Sequence, residues 1–175
     1  MKELLKNKNV RTIGIIVIAV VILLASSVRI VESGEVGVRV RFGKASNQPT
    51  HEGINLKIPF VEEIKKMNIR VQKIEVTTSS SSKDLQDVEM SLAVNYQIDK
   101  KKAVNLYKNV GSNYDEVILE PAIEEGIKAV TSKYTAEELI TNRSEVSKQC
   151  REELDKKVSK YGLSINDFNI TNFNF

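Results

Sequence analysis

One cysteine, one histidine and no tryptophan among 175 residues remove whole classes of chemistry at once. Cys150 has no partner for an internal disulfide, and a single thiol says little about compartment. It falls on a helical apolar stripe and reads as a packed thiol despite the basic neighbours Lys148 and Arg151. His51, also alone, excludes a His-pair metal site and any Ser/His/Asp arrangement that does not run through it, and its Pro/Thr/Gly surroundings read as a solvated turn. Aromatics make up 6% of the chain and no basic patch interleaves with them, so nucleic acid is not an expected partner. No glycine-rich turn joins a strand to a helix with phosphate-cradling spacing. Glu124-Glu125 and Glu137-Glu138 are adjacent on helices, about 100° apart, and cannot jointly flank a substrate. The residues therefore predict no catalytic, cofactor or metal site.

Charge is as uninformative in the body of the chain as it is informative at the start. The net +3 comes entirely from the first eleven residues, where Lys2, Lys6, Lys8 and Arg11 face the single acid Glu3, and 22 bases balance 22 acids from Thr12 onward. Directly after this tail, TIGIIVIAVVILLASSV runs from Thr12 to Val28 without a charge. At about 1.5 Å per residue it would make roughly 25 Å of helix, the short end of what spans a hydrocarbon core of about 30 Å. The β-branched residues do not argue against helix there, because a lone segment in lipid must satisfy its backbone internally. The segment is read as a transmembrane anchor, with Thr12, Ile13, Ile16, Val20, Leu23, Leu24 and Val28 in lipid. A cleaved signal peptide ending near Ala25-Ser26-Ser27 is the competing reading. The basic tail sets the expected topology: N-terminus in the cytoplasm, single pass, and the rest of the chain on the opposite, periplasmic or extracellular, face.

Beyond the anchor, about 147 residues suffice for one domain. GEVGVRVRF (34–42) alternates Val36, Val38, Val40 and Phe42 against Gly37, Arg39 and Arg41, the mark of a half-buried strand. Residues 43–53 are turn-rich, and INLKIPF alternates again until Pro59, suggesting a hairpin or edge pair. Met67, Ile69 and Val71 fall out of phase with Ile74 and Val76, which predicts a bulge or bend near Gln72-Lys73. Ser79 to Ser82 reads as a loop. Val88 to Ile98 gives the clearest alternation in the chain, a strand with one wet face.

The period then becomes helical. Ala103, Leu106, Tyr107 and Val110 define one helix, a longer one is predicted from Tyr114 to Ser132 with Pro121 kinking it or lying in its first turn, and Thr135-x-x-Glu138 has the form of a capping box. Val146, Cys150, Leu154 and Val158 form a narrow stripe on a charged helix, Gly162 supplies its left-handed cap, and residues 163–175 return to strand chemistry. The order predicts an α+β domain whose last strand pairs back into an earlier sheet.

These segments carry a resemblance. SKDLQDVEMSLAVNYQI, then NVGSNYDEVILEPAIEEGIKAVTSKYTAEELITNRSEVSKQ, then YGLSINDFNITNFNF, with Glu35-Val36-Gly37-Val38, Glu52-Gly53-Ile54 and Ile58-Pro59-Phe60-Val61 upstream, resemble the stomatin/prohibitin/flotillin (SPFH, band 7) domain, closest in pattern to prohibitins. The resemblance divides the chain into a basic tail (1–11), an anchor (12–28) and an SPFH domain (30–175). It implies an antiparallel sheet packed with helices and a membrane scaffold without enzymatic activity. Such proteins assemble with themselves or with a paralogue into rings or cages that organise a lipid microdomain, and in several lineages they restrain an AAA-type membrane protease. The family continues into a long coiled-coil assembly helix where this sequence stops, so the sequence is either a trimmed chain or a member without that helix.

With no catalytic grouping in view, surfaces become the candidate sites. The helix bearing Arg143, Glu145, Lys148, Arg151, Glu152, Asp155 and Lys156 suits contacts between copies, where opposite charges set register, although the same pattern fits a helix that merely covers the sheet. Ile54, Leu56, Phe60 and Val61 are candidates for the lipid interface.

Overall fold

Eight strands and five helices make up a computed structural model that describes residues 8–174, with side chains from Thr12 onward. The chain forms two units, one through Lys66 and one from Met67.

The first unit begins with helix α1 (Lys8–Ser26). The Ser26 and Ser27 hydroxyls both donate to the Leu23 carbonyl, at 2.9 and 2.8 Å, and the helix stops there. Val28 is already the first residue of strand β1 (Val28–Val31). This corrects the predicted anchor. The apolar helical stretch from Thr12 to Ser26 reaches roughly 22 Å, against about 30 Å of hydrocarbon. Among the described residues no helix is long and apolar enough to cross a membrane. Thr12, Ile13, Ile16, Val20, Leu23, Leu24 and Val28 therefore do not form a single-pass span, and the topology built on it falls with it. Of the basic residues meant to orient it, Lys2 and Lys6 lie outside the described residues, as do the side chains of Lys8 and Arg11.

Strand β1 pairs antiparallel with β4 (Gly53–Leu56), matching Val28 with Leu56 and Ile30 with Ile54. A second, three-stranded sheet has the order β3-β2-β5, from β2 (Glu35–Arg41), β3 (Lys44–Thr50) and β5 (Glu62–Asn68). Pro49 is tolerated because β3 is an edge strand. Both faces of β2 are covered at Gly37, where a Cβ would meet Ile64 Cγ2 and Thr50 Cβ at 3.0 Å and Val31 Cγ2 at 3.1 Å. Gly37→Val is expected to cost about 1–3 kcal/mol by overpacking, read as a lower urea midpoint at unchanged slope.

In the second unit, β6 (Gln72–Ser81), β7 (Asp87–Ile98) and β8 (Leu163–Asn174) form an antiparallel sheet in that order. The predicted bend at Gln72-Lys73 is instead a strand break: β5 ends at Asn68 and β6 starts at Gln72, and since the two strands serve different sheets their phases are independent. The serine run predicted as a loop is mostly strand, ending β6. Val88, Met90, Leu92, Val94, Tyr96 and Ile98 are all buried on one face of β7. Register shifts in β8 opposite Ser91/Leu92 and Asn95/Tyr96 keep Leu163, Ile165, Phe168 and Ile170 inward despite their uneven spacing.

Helices cover this face. Short α2 (Ala103–Asn109) leads to a π-helical turn (Asp115–Leu119) and then α3 (Glu120–Thr131), with Pro121 in its first turn, where a missing N–H costs nothing. In α4 (Ala136–Thr141) the capping box is formed: Thr135 Oγ1 accepts from Glu138 N at 3.2 Å, and Thr135 N donates to Glu138 Oε2 at 2.9 Å. The stripe of α5 (Arg143–Val158) is buried against β8 and α3. Gly162 closes the helix at φ 86°, on top of Lys102.

Candidate interaction surfaces

The first unit puts its apolar side chains outside. Residues directly opposite in a ladder share a face, so Val28, Ile30, Ile54 and Leu56 line one side of the β1/β4 ribbon, and all four are exposed. The other side holds Val31, which is buried. The ribbon follows α1 in the chain, whose residues from Ile13 to Leu24 are exposed as well.

Two turn tips extend this apolar character. Arg41 pairs with Lys44 across a two-residue turn, Phe42-Gly43, with φ of 46° and 79°. Positive φ at both positions is the type I′ hairpin geometry, normally given to Asn or Gly. Pro59 and Phe60 form the second tip, with Val61 N donating to Ile58 O at 3.3 Å and Phe60 at φ 66°, a position where glycine is usual. The Phe42 amide donates to the Val61 carbonyl at 3.1 Å, tying the tips together. The phenylalanines are 80% and 96% exposed. Phe42, predicted to face the core with Val36 and Val38, is thus turned out by the hairpin.

Glu62 holds this arrangement from beneath. Its side chain is 1% exposed, and its Oε1 accepts from Arg41 Nε (3.0 Å) and Nη2 (2.6 Å). Its Oε2 accepts from Arg39 Nη1 (3.0 Å) and from the Ile58 amide (3.1 Å). The Arg41 hydrogen bonds first, then the Ile58 amide, hold the carboxyl below the usual carboxylate range against the opposing effect of burial. Of the four residues suggested for a lipid interface, Ile54, Leu56 and Phe60 are exposed and Val61 is half-buried. The sequence pointed to none of Ile30, Ile58 and Phe42 for lipid, and the ribbon and the tips add them; Val28, expected in the anchor, belongs to the ribbon instead. The Phe-Gly pair between alternating segments was the available signal.

In the second unit, the charged helix α5 divides its residues between two tasks. Arg143 donates through Nη2 to the Ile170 carbonyl and lies 5.9 Å from the Phe173 ring centroid. Asp155 accepts from the Ile165 amide at 2.9 Å. Both therefore bind the chain's own β8. Glu145 accepts from Gln149 at 3.1 Å and Lys156 pairs with Glu153 at 3.0 Å along the helix surface, while Lys148, Arg151 and Glu152 are exposed. Cys150 is buried on the opposite face, and burial pushes its thiol up to about 12, so it stays protonated at neutral pH. His51 is exposed, and its carbonyl accepts from Asn55 Nδ2 at 2.8 Å.

Against this geometry stand the similarities to known proteins. The SPFH domain / Band 7 family matches residues 29–175. "Mitochondrial prohibitin complex protein 1" of Caenorhabditis elegans is 34% identical over 135 residues, covering 77% of this chain and 49% of that protein. Prohibitin-1 of Schizosaccharomyces pombe is 32% identical over 154 residues (87% and 55%), and Prohibitin-2 of Mus musculus is 32% identical over 124 residues (71% and 42%). The chain spans about half the length of these relatives. The Caenorhabditis relative is mitochondrial by name, which together with the shortness of α1 overturns the expectation of a single-pass protein with a periplasmic or extracellular domain.

Proposed function

We propose, for a chain that belongs to the SPFH domain / Band 7 family, that it is a non-enzymatic scaffold held on a membrane surface, where copies assemble side by side into rings or cages that organise a patch of lipid and protein. The observation that carries this reading is the apolar face of the first unit. Val28, Ile30, Ile54, Leu56, Ile58, Phe42 and Phe60 are exposed together with the side of α1. Exposed apolar surface on this scale marks an interaction site, and lipid suits its composition. Lys44, two residues beyond Phe42 at the first tip, is exposed and favours anionic headgroups.

Lateral assembly is supported by the relatives, one of which is named for a complex, and the match to both Prohibitin-1 and Prohibitin-2 makes a paralogue a natural co-subunit. On α5, Glu145, Lys148, Arg151, Glu152 and Lys156 remain available for contacts between copies, whereas Arg143 and Asp155 do not. A cage of this kind also offers a way to enclose and restrain an AAA-type protease.

Vesicle flotation and mass photometry test the reading together. The chain is expected to float with vesicles, more strongly when they contain anionic lipid, and to show masses of many subunits. A chain that neither binds vesicles nor multimerises sinks it.

A further inference from the structure

No acid occurs between Glu35 and Glu52, and the stretch carries Arg39, Arg41 and Lys44. Arg39 and Arg41 lie two apart on β2 and both reach Glu62. Lys44 stands directly opposite Arg41 on β3, so its side chain shares that face of the sheet. Like charges placed opposite one another in a ladder repel, and no carboxylate relieves this pair. Both oxygens of Glu62 are committed, Oε1 to Arg41 Nε and Nη2, Oε2 to Arg39 and the Ile58 amide. Glu63, next along β5, alternates to the other face and pairs there with Lys65 at 2.6 Å.

Three cations against one carboxylate leave a surplus of two positive charges on this face. The surplus is accessible. The Arg41 side chain is 62% exposed, and with Nε and Nη2 held by Glu62 its Nη1 keeps two N–H groups that nothing among the described residues accepts. Lys44 is exposed, and its ammonium has neither an ion pair nor a hydrogen bond among the described residues. Glu62 fixes the guanidinium from beneath, so one half of the pair is already oriented. Between the two cations in the chain stands Phe42, in the left-handed region and turned out to solvent. A ring with cations on either side of its base has the layout of a membrane interface, aromatic side chain among acyl chains and positive charge at the level of the phosphates.

We infer that Arg41 and Lys44 together bind the phosphate of a phospholipid whose headgroup is a phosphomonoester, phosphatidic acid being the simplest. The inference rests on the membrane reading and names the headgroup. A phosphomonoester carries a charge of about −1.5 to −2 near neutral pH and offers three acceptor oxygens, which matches the surplus and the donors of Nη1 and the ammonium. A phosphodiester brings one negative charge and two free oxygens, and leaves half the surplus unmet. Phe42 selects lipid over free phosphate, because its ring gains only when the phosphate arrives attached to acyl chains.

Flotation of the full chain tests this, with vesicles of equal surface potential that contain either phosphatidic acid or phosphatidylglycerol. The wild type is expected to bind the first about tenfold more tightly. Lys44→Gln is expected to bring that ratio close to one while melting at or slightly above the wild-type temperature, since it removes a repulsion and no contact. Lys44→Arg is expected to keep the ratio, and Lys57→Gln, which removes a cation just past β4, to weaken binding to both vesicles alike. Equal binding of the wild type to the two vesicles overturns the phosphate site and leaves the membrane reading intact, as does a ratio that survives Lys44→Gln. Millimolar inorganic phosphate that abolishes the preference, or that raises the melting temperature without vesicles, assigns the site to free phosphate and overturns the lipid. A wild-type chain that binds neither vesicle overturns both readings.

Discussion

Replacing Phe42 and Phe60 together with glycine is expected to weaken vesicle binding about a hundredfold while leaving the protein as stable as before or slightly more so. A phenylalanine ring moved from water into an apolar phase gains about 1.5 kcal/mol or more, and about 1.4 kcal/mol is a factor of ten in binding, so two rings correspond to two decades. In the folded chain the rings contribute little, being 80% and 96% exposed, and their backbones sit at φ 46° and 66°. That conformation costs roughly 1–2 kcal/mol for a residue with a Cβ, against about 0.5–1 kcal/mol of chain entropy that glycine forfeits. Relief and cost nearly cancel, with a small margin toward stability. Urea midpoints and vesicle flotation on the same preparations measure both sides. Lower stability with unchanged binding would mean that the rings serve the fold and not lipid.

Glu62→Ala is expected to be the most damaging single change in the first unit, at about 2–3 kcal/mol, because the Ile58 amide and the half-buried Arg39 lose their acceptor, while the exposed Arg41 turns to water. The Ile58–Val61 turn would lose its anchor, so vesicle binding should fall along with stability. Glu62→Gln, which keeps an oxygen for Arg41 or Ile58, should cost less. The same group predicts an acid response. Its carboxyl is held below the usual range, mainly by Arg41. Its stabilisation is therefore complete above the ordinary carboxylate pKa and disappears as pH falls through the lower value in the folded chain. Thermal melts from neutral pH downward should show the wild type losing stability in that acid window, with the loss reduced in Glu62→Gln. Parallel curves would assign the acid sensitivity to other groups.

How far these features could be read without coordinates depends on the kind of interaction behind each. Strand β7 was legible because one buried and one wet face leave a strict period of two from Val88 to Ile98. The α5 stripe and the Thr135 cap were legible for the same local reason. Strand β3 was not, since KASNQPT has no apolar alternation and is extended only because it pairs with β2. The end of α1 was hidden because two serines bonding back to Leu23 terminate it, with no glycine or proline to announce the stop. On α5, charge alone could not separate Arg143 and Asp155, which serve β8, from residues facing outward.

The pairing of β7 with β8 also dictates a sequence of events during synthesis. Ile98 meets Leu163 and Glu89 meets Asn174, so the nearest bridging residues are about 65 positions apart and the farthest about 85. A ribosome releases the β6–β7 hairpin long before the strand that completes its sheet, and the entropy of closing such a loop must be met before the pairing rewards it. Throughout that interval one edge of β7 is a naked template and its row from Val88 to Ile98 lacks half its cover. Nascent chains translated side by side on one message would carry that template in common, and protection of it by a chaperone or by β8 itself decides whether pairing occurs within a chain or between chains.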